Sequence, residues 1–197
     1  MQSKLIVGIV FILMIVVQWF VPAKMIWDRE EVLQSGQEYL FRCQPIDPED
    51  PFRGKYITLR FSATNTSIPD STLYERGQKI YLDFDRDKDG FAKISTIRKE
   101  APANMESALI ANVQMISGAK GSTNRLLYID YPFQRFYMEE SKAKPAEDLY
   151  RSTARDSTST TYAVVMIKDG VGVIKDVMID GIPIATIIEN NDNLDNH

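Results

Sequence analysis

Two reactive residue types are almost missing from this 197-residue chain: there is one cysteine, Cys43, and one histidine, His197, at the last position. A single thiol excludes an internal disulfide framework and any multi-cysteine metal site. A terminal histidine excludes triads and zinc sites built around a core imidazole. Neither sign of charge dominates. With 23 basic against 27 acidic residues the net charge is −4, which gives no electrostatic reason to expect a nucleic-acid partner. No Walker sequence and no internal repeat occurs. The length suits one ordinary domain, with 44% hydrophobic and 25% charged residues, but the apolar residues are unevenly spread.

From Leu5 to Val21, 15 of 17 residues are apolar, the exceptions being Gly8 and Gln18. As a helix this stretch covers roughly 25 Å, and continuing through Pro22, Ala23, Met25 and Ile26 brings it to the ~30 Å of a bilayer core. Lys24 can snorkel to the surface. Trp19 and Trp27, the only tryptophans, mark the distal end as an interfacial aromatic belt would. The stretch has no polar face, which disfavours a core helix. A cleaved signal peptide is the competing reading, with Lys4 as its positive region and Val21-Pro22-Ala23 as a loose cleavage site. The run exceeds the usual length of such a segment and proline adjoins the scissile bond, so an uncleaved anchor is expected. Cys43 lies too far beyond the run for a lipoprotein. Lys4 on one side and Lys24 and Arg29 on the other nearly balance, but a short charged head before an apolar run is the signal-anchor arrangement. Residues 22–197 are therefore expected outside the cytoplasm, where 22 basic and 27 acidic residues give a net of −5.

Past the membrane, Ile26 to Leu33 reads as a short amphipathic continuation closed by Gly36 as a C-cap. Strand patterns follow at 38–44, 55–62 and 79–84, rich in aromatic and β-branched residues. In the second, Tyr56, Thr58 and Arg60 alternate with Ile57, Leu59 and Phe61. Asp-Gly pairs predict two hairpins, Ile80 to Ile97 around Asp89-Gly90 and Ala163 to Ile179 around Asp169-Gly170. A third pair, Asp180-Gly181, leads to an expected last strand from Ile182 to Ile188. Residues 108–117 could be helix or strand; strand is favoured because Gly118 and the turn residues Lys120–Asn124 lead straight into the strand-like R-L-L-Y-I-D-Y of 125–131. One short helix is expected from Pro145 to about Arg155, then a polar connector at 152–161. The Asn/Asp-rich tail after Glu189 is expected to fray.

Three constellations invite chemistry. Asp85-x-Asp87-x-Asp89-Gly90 mimics the start of a calcium loop, but position twelve is Thr96 rather than glutamate and both flanks read as strands. A charged hairpin turn accounts for it better. Gly170-Val171-Gly172 lacks the third glycine of a dinucleotide loop, and no Ser-Met pair supports a signal-peptidase site. The third is Pro45-Ile46-Asp47-Pro48-Glu49-Asp50-Pro51-Phe52-Arg53-Gly54. Its prolines restrict the backbone, Asp47 and Asp50 can form Asx-turns, and Arg53 can pair with either acid. The run is a rigid, self-satisfied crossover loop or a preorganised binding surface; catalysis by Asp47 and Asp50 finds less support.

From this run onward the chain resembles the GDYXXLXY family of presumed membrane-anchored bacterial proteins. Gly54, Tyr56 and Leu59 match its signature, Lys55 replaces the usual aspartate, and Phe61 replaces the final tyrosine. Asp89-Gly90-Phe91-Ala92 is similar to the family's hairpin. Arg135-Phe136-Tyr137-Met138-Glu139-Glu140 is similar to its second block, with Arg135, Tyr137 and Glu140 matching. The resemblance implies a single anchor, an extracytoplasmic domain and often a multi-spanning membrane partner, with no known activity.

The expectation is thus an α+β protein: an anchor over 1–27, a mainly antiparallel β domain with one short helix over 28–188, and a flexible polar tail over 189–197. Its expected role is a non-catalytic interaction or support module in the bacterial inner membrane, held by the lipid bilayer through residues 5–27, without cofactor or metal. The binding residues expected are Asp47, Asp50, Arg53 and Tyr56, meeting Arg135, Tyr137 and Glu140. The alternative is a carboxylate- or metal-dependent hydrolase of an envelope substrate, requiring Asp50 and Glu140 in a closed pocket.

Overall fold

The computed structural model describes residues 2–44, 56–69, 74–118, 125–155 and 159–195. It opens with one unbroken helix, α1 (Gln2–Ser35), and continues into strands β1 (Gln37–Gln44), β2 (Tyr56–Thr58), β3 (Arg60–Phe61), β4 (Asn65–Ile68), β5 (Lys79–Arg86), β6 (Ala92–Arg98), β7 (Leu109–Ser117), β8 (Arg125–Asp130) and β9 (Arg135–Tyr137). Helix α2 (Glu140–Arg155), strands β10 (Thr161–Lys168), β11 (Val171–Ile179) and β12 (Ile182–Pro183), and helix α3 (Ile184–Asp195) complete it.

The strands form two five-stranded antiparallel sheets, β12-β11-β10-β1-β3 and β4-β8-β7-β5-β6, and a separate ribbon, β2-β9. Alternation along each strand sends one face inward. Tyr39, Phe41, Val165 and Ile167 from the first sheet meet Ile80, Leu82, Phe84, Leu109, Val113 and Ile129 from the second in one core. Phe41 sits at its centre, fully buried, with ring centroids of Phe61, Phe84, Tyr131 and Phe133 at 5.1–5.7 Å in edge-on contacts, a geometry the ring quadrupoles favour. The sheets also touch along their margins, through the parallel bridges Leu40–Phe91 and Leu109–Gly170.

The expected hairpins are present. Asp169 and Gly170 both have positive φ, as do Asp180 and Gly181, which is what a two-residue turn between twisted strands requires. At the calcium-like run, Asp87 Oδ1 accepts the amides of Asp89 and Phe91, so its carboxylate closes the turn.

The continuation expected over 26–33 is present, whereas the manner in which α1 ends, the start of α2 and the C-terminal segment differ from expectation. The anchor and the segment 26–33 are one helix: residues 6–30 are exposed, and only the last turns touch the domain, with Val32 buried to 5%. Gly36 ends α1 by close approach rather than as a left-handed cap, since a Cβ there would lie 2.6 Å from the Val32 carbonyl oxygen and 3.1 Å from that of Ile167. Helix α2 begins at Glu140, five residues before Pro145, where the amides of Lys142 and Ala143 donate to the Glu139 carbonyl. The expected strand 182–188 is a two-residue strand followed by α3, because Ile184 and Ile188 are buried at a one-turn spacing and a helix puts both on the core. Helix α3 continues through residues 189–195. There are three helices among the described residues, and the α+β class stands.

Candidate binding face

Residues 55–62 were expected as one strand, and the split within them builds the site. Leu59 lies between β2 and β3, its amide donating to the Gln134 carbonyl. Before it, β2 pairs with β9, and after it, β3 pairs with β1. The β2-β9 register is Tyr56–Tyr137, Ile57–Phe136 and Thr58–Arg135. Ile57 is fully buried and Phe136 packs against the core, so the period of two sends Tyr56, Thr58, Arg135 and Tyr137 to the other face.

On that face the rings of Tyr56 and Tyr137 are 5.4 Å apart and tilted by 56°. The Arg135 guanidinium lies 4.9 Å from the Tyr56 ring centroid, within cation–π range. Tyr137 is 64% exposed. A hydrogen bond with Tyr137, joined by the field of Tyr56, raises the Arg135 pKa above its ordinary value.

Of the residues expected to bind, Tyr56, Arg135 and Tyr137 are brought together. Glu140 is the first residue of α2, three positions beyond Tyr137, and its side chain lies outside the described residues, as do Asp47, Asp50 and Arg53. Thr58, opposite Arg135 on the same face, was missed; the alternation of residues 56–61 carried the signal for it. Other polar groups cluster elsewhere. Lys142 Nζ bridges Glu139 at 3.5 Å and Glu189 at 2.6 Å, tying α2 to α3. Arg42 lies 4.1 Å over the Phe91 ring and 3.5 Å from Asp89. Cys43, half-buried beneath α2, has its thiol pushed up to about 12 by burial, against smaller lowering contacts from Tyr150 and Ala163. No three His, Cys, Asp or Glu side chains among the described residues gather as a metal site would require.

These features define an α+β protein with an apolar N-terminal helix, two antiparallel sheets and an exposed Tyr/Arg ribbon. The chain belongs to the GDYXXLXY protein family, whose model matches residues 18–177. Neither a curated protein nor a solved structure matches it.

Proposed function

We propose that the chain is a single-pass inner-membrane protein of a bacterium whose extracytoplasmic domain binds or supports another membrane or envelope protein without catalysing a reaction. The observation that carries this reading is the Tyr56–Arg135–Tyr137 face, a half-buried and an exposed tyrosine beside an arginine on a ribbon whose other side is buried. Tyrosine and arginine are the residue types that dominate binding energy at protein interfaces. The anchor half of the reading draws on α1. Its apolar span continues without a break into a last turn that contributes Val32 to the interior, so the helix is part of the domain's packing as well as its tether.

The test is photocrosslinking in native membranes with a benzophenone amino acid at position 137, and at Met115, on a different exposed surface, as control. The expected result is an adduct with a membrane or envelope protein from position 137 and none from 115. Absence of any adduct at 137, or equal yields at both, contradicts the reading.

A further inference from the structure

We infer that α1 pairs within the membrane with α1 of a second copy of this chain, along a stripe centred on Gln18. The inference rests on the anchor half of the reading above and goes beyond its binding face. The first argument is an unmet hydrogen-bonding demand. Gln18 is the only amide or charged side chain between Leu5 and Val21. It stands eight positions from Ile26 and thirteen from Leu5, about 12 and 20 Å of helix. Its amide therefore sits in the hydrocarbon, too deep for a short side chain to snorkel out. Every residue within a turn of Gln18 is described, and its side chain hydrogen-bonds to none of them. Four residues on, Pro22 lies inside the helix. It has no N–H, so the Gln18 carbonyl loses its i+4 donor as well. No water satisfies such groups in lipid, and amide side chains there bond across helices.

The second argument is where the irregular residues fall. Gly8, Phe11, Ile15, Gln18, Pro22 and Met25 follow at alternating steps of three and four, the spacing of a seam between two left-handedly coiled helices. The one glycine, the one amide and the one proline of residues 5–26 thus share a face. Nothing inside the chain accounts for Gly8, where an added Cβ would meet no atom within 4 Å. On a seam, a glycine lets a neighbouring helix approach closely.

The third is what fits the stripe. Copies of one chain cross the membrane in the same direction, so two parallel helices related by a two-fold axis bring Gln18 to the same depth. An amide is donor and acceptor at once. Each Gln18 Nε2 can donate to the other copy's Oε1 or to its freed carbonyl, and both demands are met reciprocally. No Asp, Glu, Lys or Arg lies between Leu5 and Ala23 to call for an oppositely charged helix from another protein. The stripe is open to a second copy, since residues 6–30 are exposed on all sides.

The test uses the full chain with Cys43→Ala in zwitterionic-lipid vesicles. Oxidation should give disulfide-linked dimers for Phe11→Cys and Ile15→Cys, on the stripe, and none for Leu13→Cys and Phe20→Cys, on the opposite side of the helix. Dimer affinity is read by energy transfer between fluorophores on Ser95→Cys as lipid is added. It should fall about fivefold or more in Gln18→Leu and by less than about twofold in Gln18→Asn, which keeps the amide. Equal dimer yields at all four positions, no dimer at any of them, or an affinity unchanged by Gln18→Leu overturns the inference. In native membranes, adducts from Ile15→Cys to a protein of another mass, with none between copies, overturn it in favour of a foreign helix. The mass of the chain there separates the two readings. A full-length chain without stripe crosslinks removes only the pairing, whereas loss of the N-terminal segment removes the anchor reading and the pairing with it.

Discussion

Phe41 shows how much of this molecule rests on single side chains. It touches four other rings, and truncating such a buried ring costs about 3–5 kcal/mol. Phe41→Ala should therefore lower stability by that amount in chemical denaturation of the detergent-solubilised chain; a loss below about 1 kcal/mol would mean the site collapses around the gap. Cys43 gives a test of opposite character. Its thiol is raised from 9.0 to about 12, so at pH 8.5 the native thiolate fraction is lower by about a thousandfold than that of a free thiol. Alkylation by iodoacetamide should be negligible until denaturant is added. The sign for stability follows: above pH 9 the unfolded chain releases this proton while the native chain keeps it, so stability falls as pH rises from 9 toward 12, and Cys43→Ala should flatten that alkaline slope. At this scale the sequence was partly readable. Alternation assigned Ile57, Leu59 and Phe61 to the core and Tyr56 to the surface. The pairing of Tyr56 with Tyr137 was not contained in any local pattern, because 80 residues of chain separate them and only the strand register brings them together.

Among the elements, the junction of α1 with the first sheet is the most closely built. Lys168 Nζ meets Glu31 at 2.6 Å and Ser35 Oγ at 2.9 Å, and its pKa is raised chiefly by the hydrogen bond to Glu31. Gly36 lies against the backbone of Val32 and Ile167. Helix and domain should move as one body. Lys168→Ala, in a Cys43→Ala background, should broaden the distance distribution between spin labels at Arg29 and Lys175 measured by pulsed electron resonance. Gly36→Ala, which forces a Cβ onto two carbonyls, should broaden it further. A narrow distribution unchanged by both would show that the clamp does not set the angle. Hairpins were legible because Asp-Gly supplies the positive φ that their turns need. Helix α3 was not: Ile182-Pro183-Ile184 after a turn reads as strand by its β-branched residues, and the one-turn spacing of Ile184 and Ile188 outweighs that preference once a core is available to them. The ion pair of Lys168 with Glu31 spans 137 residues, and no sequence period encodes it.

For the whole molecule, one apolar helix and one sandwich are joined without a linker, Gly36 alone lying between α1 and β1. Helix α1 runs past residue 27 to Ser35, and α3 begins at Ile184, before the Asn/Asp-rich stretch. Composition registers changes of polarity, whereas a helix continues for as long as its backbone bonds and its packing allow. The central claim, that a retained helix holds the domain outside the cytoplasm, is tested most directly by cysteine labelling in spheroplasts. With Cys43→Ala removing the natural thiol, single cysteines introduced by Ser3→Cys and Ser95→Cys report cleanly. A membrane-impermeant maleimide should label the Ser95 variant in intact spheroplasts and the Ser3 variant only after permeabilisation, both on a chain of full mass. Protection of the Ser95 variant, or a mature chain that has lost residue 3, would contradict the account.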